Sequence, residues 1–233
     1  MTAPINCDIK SISSLTPTVY RVVLEPKTSF TFKAGQYLFV HMSEEDKRPF
    51  SIGSSTSESG TVELHIGAEE SNKFAYEVLQ KMQSEKSITV SGGFGDAHYQ
   101  PNSSLPAILI AGGTGFSYTY SILKEALAQK ITTPISLYWG GRKTEDLYLM
   151  DELTKLAVEH PHFSFHPVVE FPEDNWQGKT GWVHQAVLSD YPSLDQNQVY
   201  IAGRFEMAKT ARADFFAQGL TADALFGDAY AFI

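Results

Sequence analysis

The chain contains Ile108-Leu-Ile-Ala-Gly112-Gly113-Thr114-Gly115-Phe116-Ser117, an apolar run that passes through a glycine-rich turn into residues suited to a helix. Such a turn presents backbone N–H groups and a helix N-terminus to an anion, and the missing side chains let a pyrophosphate approach closely. Tyr118 replaces the last glycine of a GxGxxG pattern, and the absence of a lysine excludes a Walker A loop. On this motif alone, nucleotide binding and a plain glycine-rich connection both stay open.

On either side of this turn, short continuous apolar runs alternate with helical stretches, which is typical of a parallel sheet covered on both faces. A first helix is expected over Phe116–Gln129, and further stripes follow at helical spacing. The expected strands are Ala107–Ala111, Ile135–Trp139, Phe163–Val169, Val199–Ala202 and a last one near Tyr230–Ile233.

The first hundred residues show a different, period-2 pattern, with Tyr20, Val22 and Leu24 on one face of an expected strand. Several short strands separated by Gly and Ser clusters, with one helix expected at Phe74–Gln83, predict an antiparallel barrel or sandwich. The pattern changes at the Pro- and Ser-containing segment 100–106. We therefore expect two domains, 1–101 and 102–233.

Composition and charge exclude several classes of function. The 233 residues include 27 Asp and Glu against 18 Lys and Arg, and the net charge of −9 argues against nucleic-acid or membrane-surface partners. The single cysteine, Cys7, excludes an internal disulfide, a CxxC redox pair and a thiolate iron–sulfur cluster. Because no apolar run is long enough to span a bilayer and the start lacks signal-peptide features, a cytoplasmic location is expected.

Two further patterns suggest other chemistry. Gly115–Thr119 is one residue away from a GxSxG nucleophile elbow, but Thr119 breaks the pattern and the β-rich start does not suit an α/β-hydrolase. His160, His162 and His166 suggest a metal site, yet no cysteine or convergent carboxylate is evident nearby. A solvated strand end is favoured there, and no metal is expected.

Six short motifs follow one another in a particular order. They are RPFS (48–51), LHIG (64–67), AGGTGFS (111–117), YWGGR (138–142), AGRFEMA (202–208) and FGDAYAFI (226–233). This order resembles the ferredoxin–NADP reductase superfamily, and within it the NAD(P)H-flavin reductases that reduce free flavins, including those that supply bacterial luciferase. The resemblance covers essentially the whole chain. It implies an N-terminal antiparallel Greek-key β-barrel that binds flavin and a C-terminal Rossmann-like parallel-sheet domain that binds NAD(P)H.

The resemblance also implies roles for the residues of the first domain. Arg48 is expected at the ribityl or phosphate end of the flavin, and Ser51 at its N5 atom. Pro49 and Phe50 would line the ring. The strand His65, Ile66 and Gly67 would meet the pyrimidine edge mainly through backbone groups, although His65 is also readily explained as a partly buried strand residue.

In the second domain, the resemblance implies that Arg142 lies near the adenosine ribose, where an Arg at a strand end is otherwise a solvated charge. Asp228 resembles the family's carboxylate beside the reacting rings and, with Ser51, is the expected catalytic pair; a turn residue beside Gly227 is the alternative. The other expected nucleotide-binding residues are Gly112, Gly113, Thr114, Gly115, Phe116, Gly203, Arg204, Phe205, Glu206 and Met207.

Departures from the wider family favour a flavin that binds and dissociates as a substrate. Ala202-Gly203 replaces the usual Cys-Gly pair, and the chain ends in Phe232-Ile233 instead of a ring-covering Tyr or Trp. Glu69 and Glu70 stand where a bound FAD would place its pyrophosphate, and like charges repel.

The expected reaction is direct hydride transfer from nicotinamide C4 to flavin N5, with NAD(P)H as donor and FMN, riboflavin or FAD as substrate or weakly bound flavin. The reduced flavin would pass to luciferase or to ferric chelates. Two alternatives stay open: an electron-transfer flavoprotein with bound flavin and a protein acceptor, and a non-catalytic nucleotide-binding module. Arg142 and Lys143 do not settle NADH against NADPH.

Overall fold

The computed structural model describes residues 3–58 and 60–233, which form two compact units. The first unit comprises residues up to Tyr99 together with Tyr120–Glu125, and the second comprises Gln100–Thr119 and Ala126–Ile233. Residues 1, 2 and 59, which fall within the expected first domain, lie outside the described part of the chain.

Antiparallel strands build the first unit. In the described residues the sheet order is β4-β3-β6-β1-β2-β5, and every neighbouring pair is antiparallel. Beyond the end of β4, Gly53 N donates to Glu63 O of β5 at 2.7 Å, so the two outer strands meet and the barrel closes. The elements are β1 Ile5–Ser14, β2 Val19–Pro26, β3 Tyr37–His41, β4 Lys47–Ser51, β5 Val62–Gly67, α1 Lys73–Ser84 and β6 Ser87–Phe94.

The core of this unit follows from the period-2 pattern. Val22 and Leu24 of β2 and Leu64 and Ile66 of β5 are buried on the inner face, as the alternation predicts. Helix α1 packs its apolar face, which carries Val78 among others, on the same core. Each fully buried aliphatic side chain stabilises the fold by about 1.5–3 kcal/mol. The predicted antiparallel barrel is confirmed.

A parallel sheet forms the second unit, in the order β10-β9-β8-β7-β11-β12 over the described residues. From β7 the chain moves outward to β10 and then returns to the other side of β7 at β11. A ligand in such a sheet binds beyond the carboxyl ends of the strands at this reversal. The elements are β7 Ala107–Gly112, α2 Phe116–Ala128, β8 Ile135–Gly141, α3 Met150–Glu159, β9 Phe163–Val169, β10 Lys179–Thr180, α4 Val183–Asp190, β11 Gln198–Ala202, α5 Phe205–Ala217 and β12 Leu225–Phe226.

The Rossmann-like architecture is confirmed, but the prediction of a last strand near Tyr230–Ile233 is wrong. The last strand is the short β12, which pairs with β11 and ends before Gly227. After it the backbone bonds locally, because Tyr230 N donates to Gly227 O and Phe232 N to Ala229 O, both at 3.0 Å. The backbone N–H groups of Tyr230 and Phe232 are therefore used within turns and are not available to pair with a neighbouring strand.

Candidate active site

The RPFS motif fills β4, an edge strand in which Pro49 removes one ladder donor. Ser51 lies opposite Tyr37 of β3, and Pro49 lies opposite Phe39, so these four residues share one face. No hydrogen bond to another described residue is present at the Ser51 hydroxyl. A free hydroxyl on an edge strand is available to a ligand.

Aromatic rings lie beside Ser51 on the same face. The ring centroids of Tyr37 and Phe39 are 5.5 Å apart, and Phe94 of β6 lies 6.0 and 5.4 Å from them. Tyr37 was not among the sequence-predicted site residues. Its signal is its register opposite Ser51, which appears only when β3 and β4 are paired.

Arg48 and Phe50 lie on the opposite face of β4 from Ser51. They pair with Val40 and Leu38 of β3, both of which are fully buried. Phe50 packs against the barrel core. The structure therefore brings Pro49 and Ser51 together on the outer face and places the other two side chains of the motif elsewhere.

The Arg48 guanidinium already has partners within the first unit. Its Nε and Nη2 donate to Asp46, Nη2 also donates to Glu77 of α1 at 2.8 Å, and Nη1 donates to Phe74 O at 2.6 Å. The guanidinium carbon lies 4.9 Å from the centre of the Phe74 ring. The hydrogen bond from Arg48 lowers the pKa of Asp46, and that same bond raises the pKa of Arg48.

The second flavin segment, His65–Gly67, lies in β5. Ile66 points into the barrel core and the His65 side chain is fully buried, so neither side chain faces solvent. Glu63 N donates to Ser54 Oγ, and Gly53 N donates to Glu63 O. Both backbone groups of Glu63 therefore point toward the segment that follows β4. Because backbone groups alternate along a strand, those of His65 point to the same side. The two segments predicted to bind flavin are therefore neighbours.

A buried polar cluster holds the outer face of β5. His65 Nε2 lies 2.6 Å from Glu63 Oε1, and Arg21 Nε lies 3.2 Å from the same oxygen. Lys124 of α2 approaches Glu63 Oε2 at 3.8 Å, and its Nζ lies 4.5 Å from the centre of the Tyr120 ring. Burial lowers the pKa of His65, against the opposing effect of Glu63. Burial raises the pKa of Glu63, but the hydrogen bond from His65 and the charge of Lys124 outweigh it, so the net shift is downward.

The glycine turn predicted to bind nucleotide joins β7 to α2 through one turn of 3-10 helix, Gly113–Gly115. A Cβ on Gly115 would lie 2.5 Å from Ala202 O of β11, and a Cβ on Gly112 would lie 2.9 Å from Met207 Sδ. A Cβ on Gly203 would meet Met207 Cε at 2.5 Å. Gly115 thus lets the turn pack against the backbone of β11, and Gly112 and Gly203 leave room for the end of Met207. We call the turn Gly112–Gly115 the glycine cradle, because it ends at a helix N-terminus suited to an anion.

The ring of Phe116 anchors the turn from inside. It is fully buried and stacks on Trp139 with centroids 3.9 Å apart. Trp139 Nε1 donates to Gly113 O at 3.0 Å. Phe116 therefore fixes the shape of the cradle with its side chain in the core.

Two polar groups lie at the start of α2. The Ser117 hydroxyl is buried and has no hydrogen-bond partner among the described residues. The pKa of the buried Tyr118 is raised well above its ordinary value, first by burial and then by the nearby Asp228 carboxylate. An unpartnered hydroxyl next to a glycine turn at a helix N-terminus fits a polar ligand.

The remaining residues predicted to bind nucleotide lie along the same carboxyl edge, as does Asp228, which was predicted to be catalytic. Arg142 follows β8, and its guanidinium lies 5.7 Å from the centre of the exposed Phe171 ring. Asp228 follows β12 and begins a short turn. Residues Gly203–Glu206, which lead into α5, are exposed, and Phe205 contacts Phe232 edge-on at 6.3 Å. The edges of β8, β7, β11 and β12 thus carry every sequence-predicted nucleotide residue.

The described residues hold no cluster of three or more His, Cys, Asp or Glu suited to a metal ion. His166 instead stacks on Tyr138 with centroids 4.4 Å apart, and His162 precedes β9. None of the described helices is long and apolar enough to cross a membrane.

Comparisons with known proteins agree with this architecture. Residues 7–99 match the family model of the oxidoreductase FAD-binding domain, and residues 109–213 match that of the oxidoreductase NAD-binding domain. The NAD(P)H-flavin reductase of Aliivibrio fischeri is 49% identical over 99% of this chain and all of its own length. The NAD(P)H-flavin reductase of Vibrio harveyi is 48% identical over 98% of this chain and 99% of its own length.

Solved structures share the fold. An Amycolatopsis cytochrome P450 reductase superposes with a TM-score of 0.89 at 24% identity, over 97% of this chain and 69% of its own. A ferredoxin NADP+ reductase from Neisseria gonorrhoeae gives a TM-score of 0.80 at 18% identity, over 96% of both chains. The family models and the two full-length relatives decide the family. This chain belongs to the NAD(P)H-flavin reductase family, within the ferredoxin–NADP reductase superfamily.

Gly115→Ala tests the cradle. Because the new Cβ would lie 2.5 Å from a backbone oxygen, the turn must move away from β11. We expect the KM for NADH to rise by about tenfold or more, with a smaller change in the KM for flavin. Steady-state kinetics measures both constants, and an unchanged KM for NADH in a folded variant would contradict the assignment.

His65→Gln tests the buried cluster. The folded state favours neutral His65, so below a pH of about 6.5 the unfolded chain takes up more protons and stability falls as pH decreases. This residue contributes at most about 1.4 kcal/mol per pH unit to that decline.

Urea unfolding between pH 7.5 and 5 measures the effect. The decline in unfolding free energy should be shallower in His65→Gln than in the parent. The exposed His162→Gln is the control and should keep the parental slope. Equal slopes for the parent and His65→Gln would show that the histidine does not carry the pH dependence.

Proposed function

We propose that this chain reduces free flavins with NAD(P)H and that the flavin is a dissociable substrate. The observation that carries the proposal is the near-half identity to two NAD(P)H-flavin reductases along the whole chain. The intact glycine cradle and the free Ser51 hydroxyl support it. In this proposal residues 1–101 form the flavin-binding domain and residues 102–233 the NAD(P)H-binding domain.

The bound pair supplies the chemistry: a hydride, carrying two electrons, passes from nicotinamide C4 to flavin N5 and leaves NAD(P)+ and reduced flavin. The chain's part is to hold the reacting atoms about 3–3.5 Å apart. Ser51 donates a hydrogen bond at N5, and Pro49 and Tyr37 support the ring. The backbone of His65 and Gly67 meets its pyrimidine edge.

On the nucleotide side, Gly112–Gly115 and the N-terminus of α2 hold the pyrophosphate, and Phe116 keeps that turn in place. Arg142 lies at the adenosine end. Gly203–Met207 positions the nicotinamide through backbone and shape. Asp228, which follows β12 at the carboxyl edge of the sheet, supplies a carboxylate beside the reacting rings.

A dissociable flavin is supported by charge. Glu69 and Glu70 are exposed at the segment that leads into α1, where they repel the pyrophosphate of an FAD. The alternative, an electron-transfer flavoprotein with a protein acceptor, requires a flavin that stays bound. The related structures with other electron acceptors are below 25% identical and share the fold alone.

Reduced flavin would pass to a flavin-dependent acceptor such as luciferase, or to ferric chelates. A reducing compartment such as the cytoplasm suits a chain whose single cysteine is buried and free, and such a compartment supplies NAD(P)H.

An absorption spectrum of the purified protein, followed by NADH and NADPH oxidation with and without micromolar FMN or riboflavin, tests the proposal. We expect a colourless protein whose oxidation of the nucleotide depends on added flavin. A yellow protein that needs a protein acceptor for turnover would select the alternative.

Ser51→Ala tests the role of the hydroxyl. Loss of the hydrogen bond at N5 should lower kcat by about tenfold or more, with a much smaller change in the KM for flavin, because the bond matters most in the transition state. The exposed Ser13→Ala of β1 is the matched control and should keep the parental kcat. Equal kcat for Ser51→Ala and the parent would remove Ser51 from the mechanism.

A further inference from the structure

Arg48, the cation of the RPFS motif, forms ion pairs with Asp46 and Glu77. A guanidinium has five N–H donors. Four of those of Arg48 are directed to Asp46, Glu77 and Phe74 O. The Arg48 side chain is only 11% exposed, and the Phe74 ring covers it. Little of its hydrogen-bonding capacity remains for a ligand.

The charge around Arg48 is also unfavourable for a phosphate. One cation against two carboxylates leaves the three side chains with a formal charge of −1. Glu69 and Glu70 precede α1, and Lys73 at its start is the opposing charge in that segment. A phosphate placed here would lose hydrogen bonds already made and would meet like charge.

Arg48 precedes Ser51 by three residues, about 10 Å along the strand. In FMN, the path from N5 through an extended ribityl chain to the 5′-phosphorus spans a comparable distance. The Arg48 side chain leaves β4 on the face opposite Ser51. An FMN whose ribityl chain runs back along β4 and over its open edge therefore brings its 5′-phosphate to the neighbourhood of Arg48.

We propose that Glu77 and Asp46 are specificity-determining residues that withhold Arg48 from the flavin phosphate. The enzyme then recognises the ring and the ribityl chain and treats riboflavin and FMN alike. This inference rests on the proposed reduction of free flavins. Glu77 acts through Arg48, so it is a positioning residue and not a catalytic one.

A graded series of variants tests the proposal. Glu77→Gln brings the charge of the three side chains to zero, and Asp46→Asn with Glu77→Gln brings it to +1. Equilibrium quenching of flavin fluorescence gives the Kd for riboflavin and for FMN, and NADH oxidation gives the corresponding KM values. In the parent the two flavins should bind within about threefold of each other.

Preference for FMN over riboflavin should rise by about threefold in Glu77→Gln and by about tenfold or more in the double variant, and added salt should diminish it. Riboflavin binding should stay unchanged throughout. Adding Arg48→Met to the double variant should restore the parental ratio.

Glu85→Gln is the matched control. Glu85 caps the other end of α1, its side chain is 46% exposed against 48% for Glu77, and it pairs with Lys81 at 2.6 Å. The same change in charge there should leave the ratio of Kd values unaltered. An equal shift in Glu85→Gln would reduce the effect to net charge and overturn the proposal.

An unchanged ratio in the double variant, or a parent that binds FMN at least tenfold more tightly than riboflavin, would also overturn it. If the flavins bind with the expected ratios but NADH does not reduce them, the proposed function fails while the specificity inference stands. Failure of both flavins to bind would overturn both.

Discussion

The nucleotide half depends on one steric constraint, the close approach of two backbones at the carboxyl ends of β7 and β11. Any side chain at Gly115 would strike the backbone of Ala202, whereas side chains at Gly112 or Gly203 would meet only the flexible end of Met207. Because position 115 is glycine, the turn fits against the end of the neighbouring strand, and the N-terminus of α2 follows directly. The positions of Arg142 and Asp228 along the same edge follow from the parallel strand order.

A second constraint shapes the flavin half. Pro49 makes β4 an edge strand, and closure of the barrel near Gly53 brings β5 alongside its continuation. These two features place Ser51 near the backbone of His65. The inner face of β4 serves stability, since Phe50 packs on the core and Arg48 holds α1 through Glu77. One five-residue strand thus uses Arg48 and Phe50 to stabilise the fold and leaves Pro49 and Ser51 to the proposed flavin site.

Local patterns predicted most of the fold, because alternating burial in β2 and β5 and continuous apolar runs such as β7 report directly on which face is covered. The last strand was predicted wrongly because Tyr230 is apolar enough to suit a strand, whereas turns after Gly227 use its backbone donors. For the site, motif order predicted which segments bind flavin and nucleotide. It did not reveal that Tyr37 lies opposite Ser51 or that Glu77 holds Arg48, because both relations depend on long-range pairing.

Anaerobic single-turnover reduction of riboflavin by NADH deuterated at the transferred position of C4 tests the central claim most directly. If the chain brings nicotinamide and a free flavin together for direct hydride transfer, the flavin absorbance will bleach in one phase, and deuteration will slow that phase. Equal rates of bleaching with deuterated and with ordinary NADH, in a reaction limited by the chemical step, would contradict the account. Bleaching that requires a second protein would also contradict it.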